Sequence, residues 1–235
     1  MSATLNDPRI GNGMRAQLAL RRKRLDAGAK QIGWKVGFGA PAAMEKLKLT
    51  APLVGFLLDS AILPDGAAVS LKGWQKPVAE TEIAVYIGHD IPGNADRETV
   101  RSAIAALGPA IELADIDVAM DDVQAVLSGD IFQRHVILGP RDATRARARL
   151  DGLAARITRS GKDVPAPADL EAPTGELVAI VRHVADVAAA LGDSVRAGQF
   201  IICGALTGPM FLESNETRLD YALDPVGSVS VTFSI

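Results

Sequence analysis

Two acidic side chains one residue apart begin an apolar segment in the first half of the chain. Apolar residues alternate with a period of two through the segment KPVAETEIAVYIGHD, which predicts a β-strand. Because residues i and i+2 of a strand point to the same face, Glu80 and Glu82 should lie side by side with like charges. On an exposed strand they would be two solvated acids, as most surface carboxylates are. In a buried strand they need a positively charged partner.

A third acid, Glu112, lies inside another apolar segment, between Ile111 and Leu113. A buried carboxylate without a partner is costly, so Glu112 also needs a group of opposite charge. Three carboxylates can converge on one spot only if a cation lies between them. Oxygen ligands of this kind suit Mg²⁺ or Mn²⁺ rather than Zn²⁺. We therefore hypothesise that Glu80, Glu82 and Glu112 bind a divalent metal ion.

A lysine stands between glycines in a predicted short strand. Gly33 and Gly37 flank Lys35, and glycine in a strand often marks a bulge or the close approach of a ligand. Because side chains alternate, Trp34 and Val36 should point into the core, which leaves Lys35 facing a cavity lined by the acids. The alternative is a surface lysine whose stem lies along the protein with its ammonium group in water. Beside a metal, an ammonium group could stabilise developing negative charge or transfer a proton.

The elements that must position these residues are mostly strands. The spacing of apolar residues predicts helices over 13–27, around 40–49, over about 96–107 with Asp96 as the N-cap, and from Glu176 onward. Further strands are predicted at LVGFLLD, AAVSL, PAIELADI, RHVILG, LAARITRSG, QFIICGALTG and GSVSVTFSI. Hairpin-like spacings dominate over a regular βαβ rhythm, which favours an α+β fold built on a rolled, mixed sheet with flanking helices. We expect a single catalytic domain over 1–235, with an N-terminal helical segment over about residues 10–30.

Composition excludes several classes of protein. The chain has 235 residues, 48% of them hydrophobic and 23% charged, and a formal net charge of −3. This is typical of a soluble globular protein and gives no overall attraction to nucleic acid. Cys203 is the single cysteine, which excludes internal disulfides and zinc clusters and suits a reducing compartment. The sequence has no apolar signal core and no membrane-spanning run, so we expect a cytoplasmic protein with no membrane partner.

Several segments together resemble one known group of enzymes. They occur in the same order and at similar spacing in that group: GWKVG, LVGFLLD, PVAETEIAVYIG, GPAIEL, VILG, VRAGQFIICGALTG and GSVSVTF. The group is the 2-oxopent-4-enoate hydratase and 4-oxalocrotonate decarboxylase branch of the fumarylacetoacetate hydrolase superfamily. The resemblance covers nearly the whole chain from about residue 30. Its most specific part is the E-x-E pair, followed some thirty residues later by the third glutamate.

This resemblance implies a fold, a cofactor and a set of functional residues. The implied fold is a mixed β-roll, and the implied cofactor is Mg²⁺ or Mn²⁺. By position, the residues that match the family's metal ligands are Glu80, Glu82 and Glu112; Lys35 matches the lysine that faces the substrate, Leu47 matches a residue of the substrate pocket, and Thr207 lies at the strand end that meets the substrate. The implied substrates are small 2-oxo or 2-hydroxy-dienoic acids of aromatic catabolism. The resemblance also implies a homo-oligomer that could associate with a partner enzyme of the pathway.

The chain departs from the pattern of that branch in the segments that surround the substrate. Hydratases of the branch carry an acid just before the glycine of the LVGFLLD strand, where this chain has Leu53 or Val54. An A-D-N-A-S-like stretch after the third glutamate is replaced by SGDIFQRHV, in which Asp130 keeps one acid and is expected to contact the substrate. His135 lies in the same altered segment and is a candidate for a catalytic role. These departures leave the metal site intact and affect the group that would activate water.

The sequence therefore predicts a metal-dependent lyase. It would be a hydratase or decarboxylase that acts on a short 2-oxo or 2-hydroxy-dienoic acid through a metal-stabilised enolate. The same enolate would serve a C–C hydrolase of an acylpyruvate, of the maleylpyruvate or fumarylpyruvate type, which is the second reading. The third interpretation is a partner subunit whose catalytic activity is impaired. The absent acid near Leu53 favours that third reading, whereas the intact E-x-E pair and Lys35 oppose it.

Overall fold

The computed structural model describes residues 3–234. Within this range a 3-10 turn at Ala3–Asn6 precedes five α-helices and thirteen strands. The helices are α1 (Pro8–Asp26), α2 (Pro41–Leu47), α3 (Arg97–Ala103), α4 (Val123–Ser128) and α5 (Leu177–Ala190). The strands are β1 (Gln31–Gly37), β2 (Leu53–Leu58), β3 (Ile62–Leu63), β4 (Ala67–Ser70), β5 (Pro77–Ile87), β6 (Ile104–Asp115), β7 (Gln133–Leu138), β8 (Ala154–Arg159), β9 (Lys162–Val164), β10 (Phe200–Ala205), β11 (Met210–Phe211), β12 (Arg218–Asp224) and β13 (Gly227–Ser234).

The strands form two mixed sheets. The larger sheet has the order β2-β1-β10-β5-β6-β7-β3, with β11 paired to the end of β5. The smaller sheet has the order β4-β13-β12-β8-β9. Parallel pairing occurs between β1 and β10, between β3 and β7, and between β4 and β13, and the other pairs are antiparallel. The α+β fold on a rolled, mixed sheet that the sequence predicts is confirmed.

The N-terminal helix is longer than its apolar pattern indicated. It begins at Pro8, because Asp7 caps it by accepting a hydrogen bond from the Arg9 backbone N–H (2.9 Å), and because proline suits the first helical turn. Gly13 lies where α1 crosses α4: a Cβ at this position would be 2.6 Å from the Leu127 Cβ. The helix α4 itself is not among the predicted elements.

The start of the third helix was predicted correctly, but its end was not. Asp96 caps α3 by accepting a hydrogen bond from the Thr99 backbone N–H (2.7 Å), as predicted. The predicted helix continued to Leu107, but α3 ends at Ala103 and Ile104 begins β6. Because β6 is buried on both faces, its apolar residues lack strict alternation, and a short apolar run of this kind fits a helix or a strand equally well.

Both faces of the larger sheet are buried. One face contributes to the main hydrophobic core, which also includes residues of the smaller sheet and of α1, α3, α4 and α5. The other face carries a smaller cluster: Leu57, Ala84, Ala110, Val136, Phe200 and Ile202. Cross-strand pairing places Lys35, Glu82 and Glu112 on this second face.

The larger sheet curls around its second face. Lys35 on β1 and Glu112 on β6 are three strands apart, which in a flat sheet is about 14 Å. The two side chains nevertheless form a direct ion pair. Small residues line this face and leave room for the curvature: Gly33, Gly55, Ala84, Gly108 and Ala110.

Among the helices of the described range, none is both long enough and apolar enough to cross a membrane.

The contact between β1 and β10 depends on a glycine. A Cβ at Gly33 would lie 2.2 Å from the backbone oxygen of Phe200 on the paired strand. We expect Gly33→Ala to lower the free energy of unfolding by at least ~2 kcal/mol, because backbone atoms of two paired strands would have to move apart. Urea denaturation measures this. Gly129→Ala is the control, since its Cβ would meet its nearest neighbour, the Ala125 oxygen, at 3.7 Å; equal losses in the two variants would contradict the prediction.

Candidate metal centre and substrate cavity

Three glutamates meet on the second face of the larger sheet. Glu80 and Glu82 are two residues apart on β5, and Glu80 is the direct cross-strand partner of Glu112 on β6. One carboxylate oxygen from each of the three lies within 4.8 Å of the others. Glu82 and Glu112 are completely buried, whereas Glu80 is partly exposed. The convergence that the sequence suggested is therefore present in the fold.

Two oxygens of this cluster are free to bind a cation. Glu82 accepts a hydrogen bond from the Gly204 backbone N–H at 2.6 Å through Oε2. Its Oε1 and the Oε2 of Glu112 are buried and have no hydrogen-bond partner among the described residues. Buried carboxylate oxygens without partners are rare in proteins because they lose their hydration. An all-oxygen set of this kind fits a hard divalent cation.

Lys35 supplies positive charge on one side of the cluster. It is 2% exposed, and its Nζ pairs with Glu112 Oε1 and donates a hydrogen bond to the Ile131 backbone oxygen at 3.0 Å. Trp34 and Val36 point the opposite way into the main core, as the alternation predicts. A surface position for Lys35 is thereby excluded, and its ammonium group lies at the cluster of three glutamates.

Burial and mutual repulsion change the acidity of these groups. Burial raises the pKa of Glu80 to about 7, the charge of Glu112 adds to this rise, and Lys35 opposes it. Burial followed by the charges of Glu112 and Glu80 raises the pKa of Glu82 well above its usual value. Burial alone would lower the pKa of Lys35, but the charge and hydrogen bond of Glu112 outweigh it and the net shift is upward. In the absence of a cation, burial and mutual repulsion thus make the charged form of these carboxyl groups costly, whereas the lysine stays charged.

A short loop with unusual backbone geometry approaches Lys35 from the end of α4. Asp130, Ile131 and Phe132 all have positive φ, at 63°, 53° and 62°. Such values are uncommon outside glycine, and consecutive ones are a sign of local strain, which clusters at functional sites. This backbone presents the Ile131 oxygen to Lys35.

Asp130 lies behind Lys35. Its Oδ1 accepts a hydrogen bond from the Phe56 backbone N–H at 3.0 Å, and its Oδ2 is buried without a partner in the described part of the chain. A Cβ at Gly55 would be 2.8 Å from Asp130 Oδ1 and 2.9 Å from Lys35 Cγ, so only glycine fits between them. Burial raises the pKa of Asp130 to about 8, although the Phe56 N–H and Lys35 oppose the rise. The carboxyl group therefore retains its proton near neutral pH.

A cavity of about 640 Å³ opens beside the cluster. Lys35 and Glu80 lie on its wall, and so do Leu47 and Thr207, as the resemblance implied. Asp130 is not among its lining residues. His135 is also absent from the lining; it is the cross-strand partner of Leu113, which places it on the sheet face opposite Glu112, where it packs against Trp74.

Sequence reasoning missed much of the cavity wall. Phe38 and Phe132 both line it, with ring centroids 6.4 Å apart, and Met120 and Leu206 add to its apolar surface. These residues come from loops, for which apolar periodicity gives no signal. Leu53, where relatives were expected to carry an acid, is 2% exposed and belongs to the main core.

The fold and the site together define a mixed β-roll protein with three convergent carboxylates that could hold a metal ion. Residues 30–232 match the family model described as fumarylacetoacetate (FAA) hydrolase C-terminal. The chain belongs to the fumarylacetoacetate hydrolase family.

Relatives within the family include enzymes of two kinds. The chain is 30% identical to 2-hydroxyhexa-2,4-dienoate hydratase of Comamonas testosteroni over 92% of this chain and 83% of the relative. It is 27% identical to 4-oxalocrotonate decarboxylase of Pseudomonas putida over the same shares of the two chains. The fold is similar to the structure of 4-oxalocrotonate decarboxylase from Pseudomonas putida G7 complexed with magnesium and adipate, with a TM-score of 0.85, 23% identity, and coverage of 99% of this chain and 90% of that one.

Removing one buried acid of the cluster should abolish metal binding. We expect Mg²⁺ at about 100 times its Kd to raise the free energy of unfolding of the unchanged protein by ~2.7 kcal/mol. Glu82→Gln should show no such increase. Without metal it should be at least as stable as the parent protein, because a source of repulsion is lost. Thermal unfolding with and without Mg²⁺ measures both effects. Glu45→Gln, on the exposed side of α2, should keep the full response; a full response in Glu82→Gln would show that the cluster is not the metal site.

The buried carboxyl group of Asp130 should make stability depend on pH. Its folded-state pKa of about 8 lies above the ordinary value of 3.8, so the unfolded chain releases this proton first as pH rises. Its contribution to stability is present below about pH 4 and is lost progressively up to about pH 8. Asp130→Asn keeps the acceptor for the Phe56 N–H and removes the titration. The parent protein should therefore lose stability relative to the variant between pH 5 and 8 in urea unfolding; parallel curves would contradict this.

Proposed function

We propose that this chain is a divalent-metal-dependent lyase, a hydratase or decarboxylase, that acts on a short 2-oxo or 2-hydroxy-dienoic acid of aromatic catabolism. The observation that carries the proposal is the cluster of three carboxylates and one lysine at the wall of a largely apolar cavity. The activities of the two relatives, a dienoate hydratase and an oxalocrotonate decarboxylase, support it.

Glu80, Glu82 and Glu112 would hold the cation. Mg²⁺ or Mn²⁺ fits their oxygen atoms, and the magnesium in the structurally similar decarboxylase supports this choice. When bound, such a cation supplies Lewis-acid stabilisation of negative charge on the oxygens of a 2-oxo acid.

The chain's own residues would do the remaining work. Lys35, fixed by Glu112 and by the Ile131 oxygen, places a positive charge beside the acid head of the substrate and can donate a proton there. The aromatic pair of Phe38 and Phe132 lines the cavity and lowers the polarity beside Lys35. A drier site strengthens the attraction between Lys35 and developing negative charge.

The two alternative functions differ in what they require. A C–C hydrolase of an acylpyruvate needs a group that activates water, as a hydratase does, and neither Asp130 nor His135 is among the cavity-lining residues, so this requirement does not separate the two. The dienoate hydratase and the oxalocrotonate decarboxylase among the relatives favour the lyase. An impaired partner subunit would have no use for a buried lysine and three convergent acids, each of which carries a cost in stability. We therefore place the lyase first.

Further features of the proposal concern the protein as a whole. We propose a single catalytic domain, which is supported by a main core that contains buried residues from Ile10 to Phe233 of both sheets. A homo-oligomer, association with a partner enzyme of the pathway, and a cytoplasmic location stay predictions from the sequence.

Turnover tests the proposal directly. With Mg²⁺ or Mn²⁺, the protein should convert at least one of 2-hydroxyhexa-2,4-dienoate and 4-oxalocrotonate, followed by the loss of ultraviolet absorbance. Lys35→Met keeps the length of the side chain and removes its charge. We expect it to reduce turnover by at least ~10²-fold, the usual scale for a positioned acid–base group, with metal binding retained.

Lys46→Met is the matched control, because Lys46 also lines the cavity but is exposed at its rim. It should leave the turnover of 2-hydroxyhexa-2,4-dienoate unchanged. Turnover of Lys35→Met within a few-fold of the parent protein would show that the metal alone carries the chemistry. Turnover of an acylpyruvate, with neither dienoic acid converted, would favour the hydrolase.

A further inference from the structure

The cavity has two chemically different ends. The end at the sheet holds Lys35 and the acids of the metal cluster. The rest of the surface is largely hydrocarbon, and we call its main part the apolar wall: Phe38, Leu47, Val78, Ile116, Phe132 and Leu206. A substrate bound by its acid head at the metal cluster must extend the rest of its chain along this wall.

Charged groups on the cavity surface are few outside the head end. Lys46 and Asp121 are the ones that line it besides Lys35 and Glu80 in the described range. Both are exposed, and they carry opposite charges. A charge at an exposed rim stabilises a ligand carboxylate weakly because water and salt screen it.

The other polar side chains on the cavity surface are uncharged hydroxyls, those of Thr174 and Thr207. Thr207 lines the cavity, but its hydroxyl donates to the Gly208 backbone oxygen at 3.1 Å. A second carboxylate at the far end of a substrate would lose its water at the apolar wall without meeting a buried cation. Loss of hydration without a partner is strongly unfavourable for a charge. A hydrocarbon tail at the same place gains from the same surface.

The two relatives differ in this feature. 4-Oxalocrotonate carries a carboxylate at each end, and the adipate in the structurally similar decarboxylase does too. 2-Hydroxyhexa-2,4-dienoate carries one carboxylate and ends in a methyl group. We propose that the cavity of this chain selects a monocarboxylate 2-oxo or 2-hydroxy acid with an uncharged hydrocarbon tail, and disfavours dicarboxylates. This inference rests on the proposed function and assigns the chain to the hydratase type of substrate.

Three ligands separate the contributions of head and tail. Oxalate mimics the head alone, because its second carboxylate takes the place of the 2-oxo group and it has no tail. 2-Oxohexanoate adds an apolar tail, and 2-oxoadipate has the same number of carbons as 2-oxohexanoate with a terminal carboxylate. Calorimetric titration of the full-length protein with Mg²⁺ should give an affinity for 2-oxohexanoate at least ~10-fold above that for 2-oxoadipate, the scale for leaving a buried polar group unpaired. Oxalate should bind only when Mg²⁺ is present.

A new cation in the cavity should reverse the preference. Met120 lines the cavity and is 39% exposed, so Met120→Arg can be accommodated without disturbing the core. We expect Met120→Arg to bind 2-oxoadipate at least ~10-fold more tightly than the parent protein does, because the guanidinium can pair with the terminal carboxylate. Val118→Arg is the matched control, since Val118 is also 39% exposed but does not line the cavity. It should leave both affinities unchanged.

The outcomes distinguish this inference from the function on which it rests. Metal-dependent binding of oxalate together with equal or tighter binding of 2-oxoadipate would overturn the inference and leave the proposed function standing. The inference is also overturned if Lys46→Met lowers the affinity for 2-oxoadipate to the affinity for oxalate. The lysine at the rim would then be a group that binds the tail. No oxalate binding with Mg²⁺ present would overturn both proposals.

Discussion

The burial of like charges on one face of a sheet is the constraint on which the rest of this structure depends. Glu82 and Glu112 are completely buried, and Glu80 is the cross-strand partner of Glu112. The carboxylate oxygens of Glu82 and Glu112 therefore have no contact with bulk water. The folded state must offset this cost by supplying positive charge at the cluster. The ammonium group of Lys35 supplies part of it. The unpartnered oxygens of Glu82 and Glu112 mark where a divalent cation would supply the remainder.

The curl of the larger sheet follows from the same constraint. Lys35 reaches Glu112 across two intervening strands only because the sheet bends around this face. Glycine and alanine at the inner positions make that bend possible, and at Gly33 even a methyl group would collide with a neighbouring backbone. Packing and the geometry of the charged cluster are therefore linked, because the small residues on this face determine where the charged side chains lie.

The site is also asymmetric. Its acid end is built from strands, and the hydrogen-bonded register of β5 and β6 sets the relative positions of the carboxylates. Its apolar end is built from loops, from the end of α2 and from the start of β5, and the loops include the left-handed run from Asp130 to Phe132. Loops vary more readily than paired strands do. Such an arrangement lets one metal-binding frame serve substrates with different tails, which agrees with the hydratase and the decarboxylase among the relatives of this chain.

The sequence by itself determined what depends on local spacing. The period of two along β5 placed Glu80 and Glu82 on one face, alternation in β1 separated Lys35 from Trp34, and the cap at Asp96 fixed the start of α3. The spacing of apolar residues could not distinguish a helix from a strand where a segment is apolar on all sides. The end of α3 and the start of β6 were therefore predicted incorrectly. Only the tertiary structure decided that Glu112 meets the pair on β5, that Lys35 joins them, and that Asp130 lies behind Lys35 at Gly55 rather than on the cavity wall. These contacts join residues from 30 to 95 positions apart in the chain. They depend on strand register, on sheet curvature and on loop backbone angles, and none of these is encoded in the pattern of any single segment.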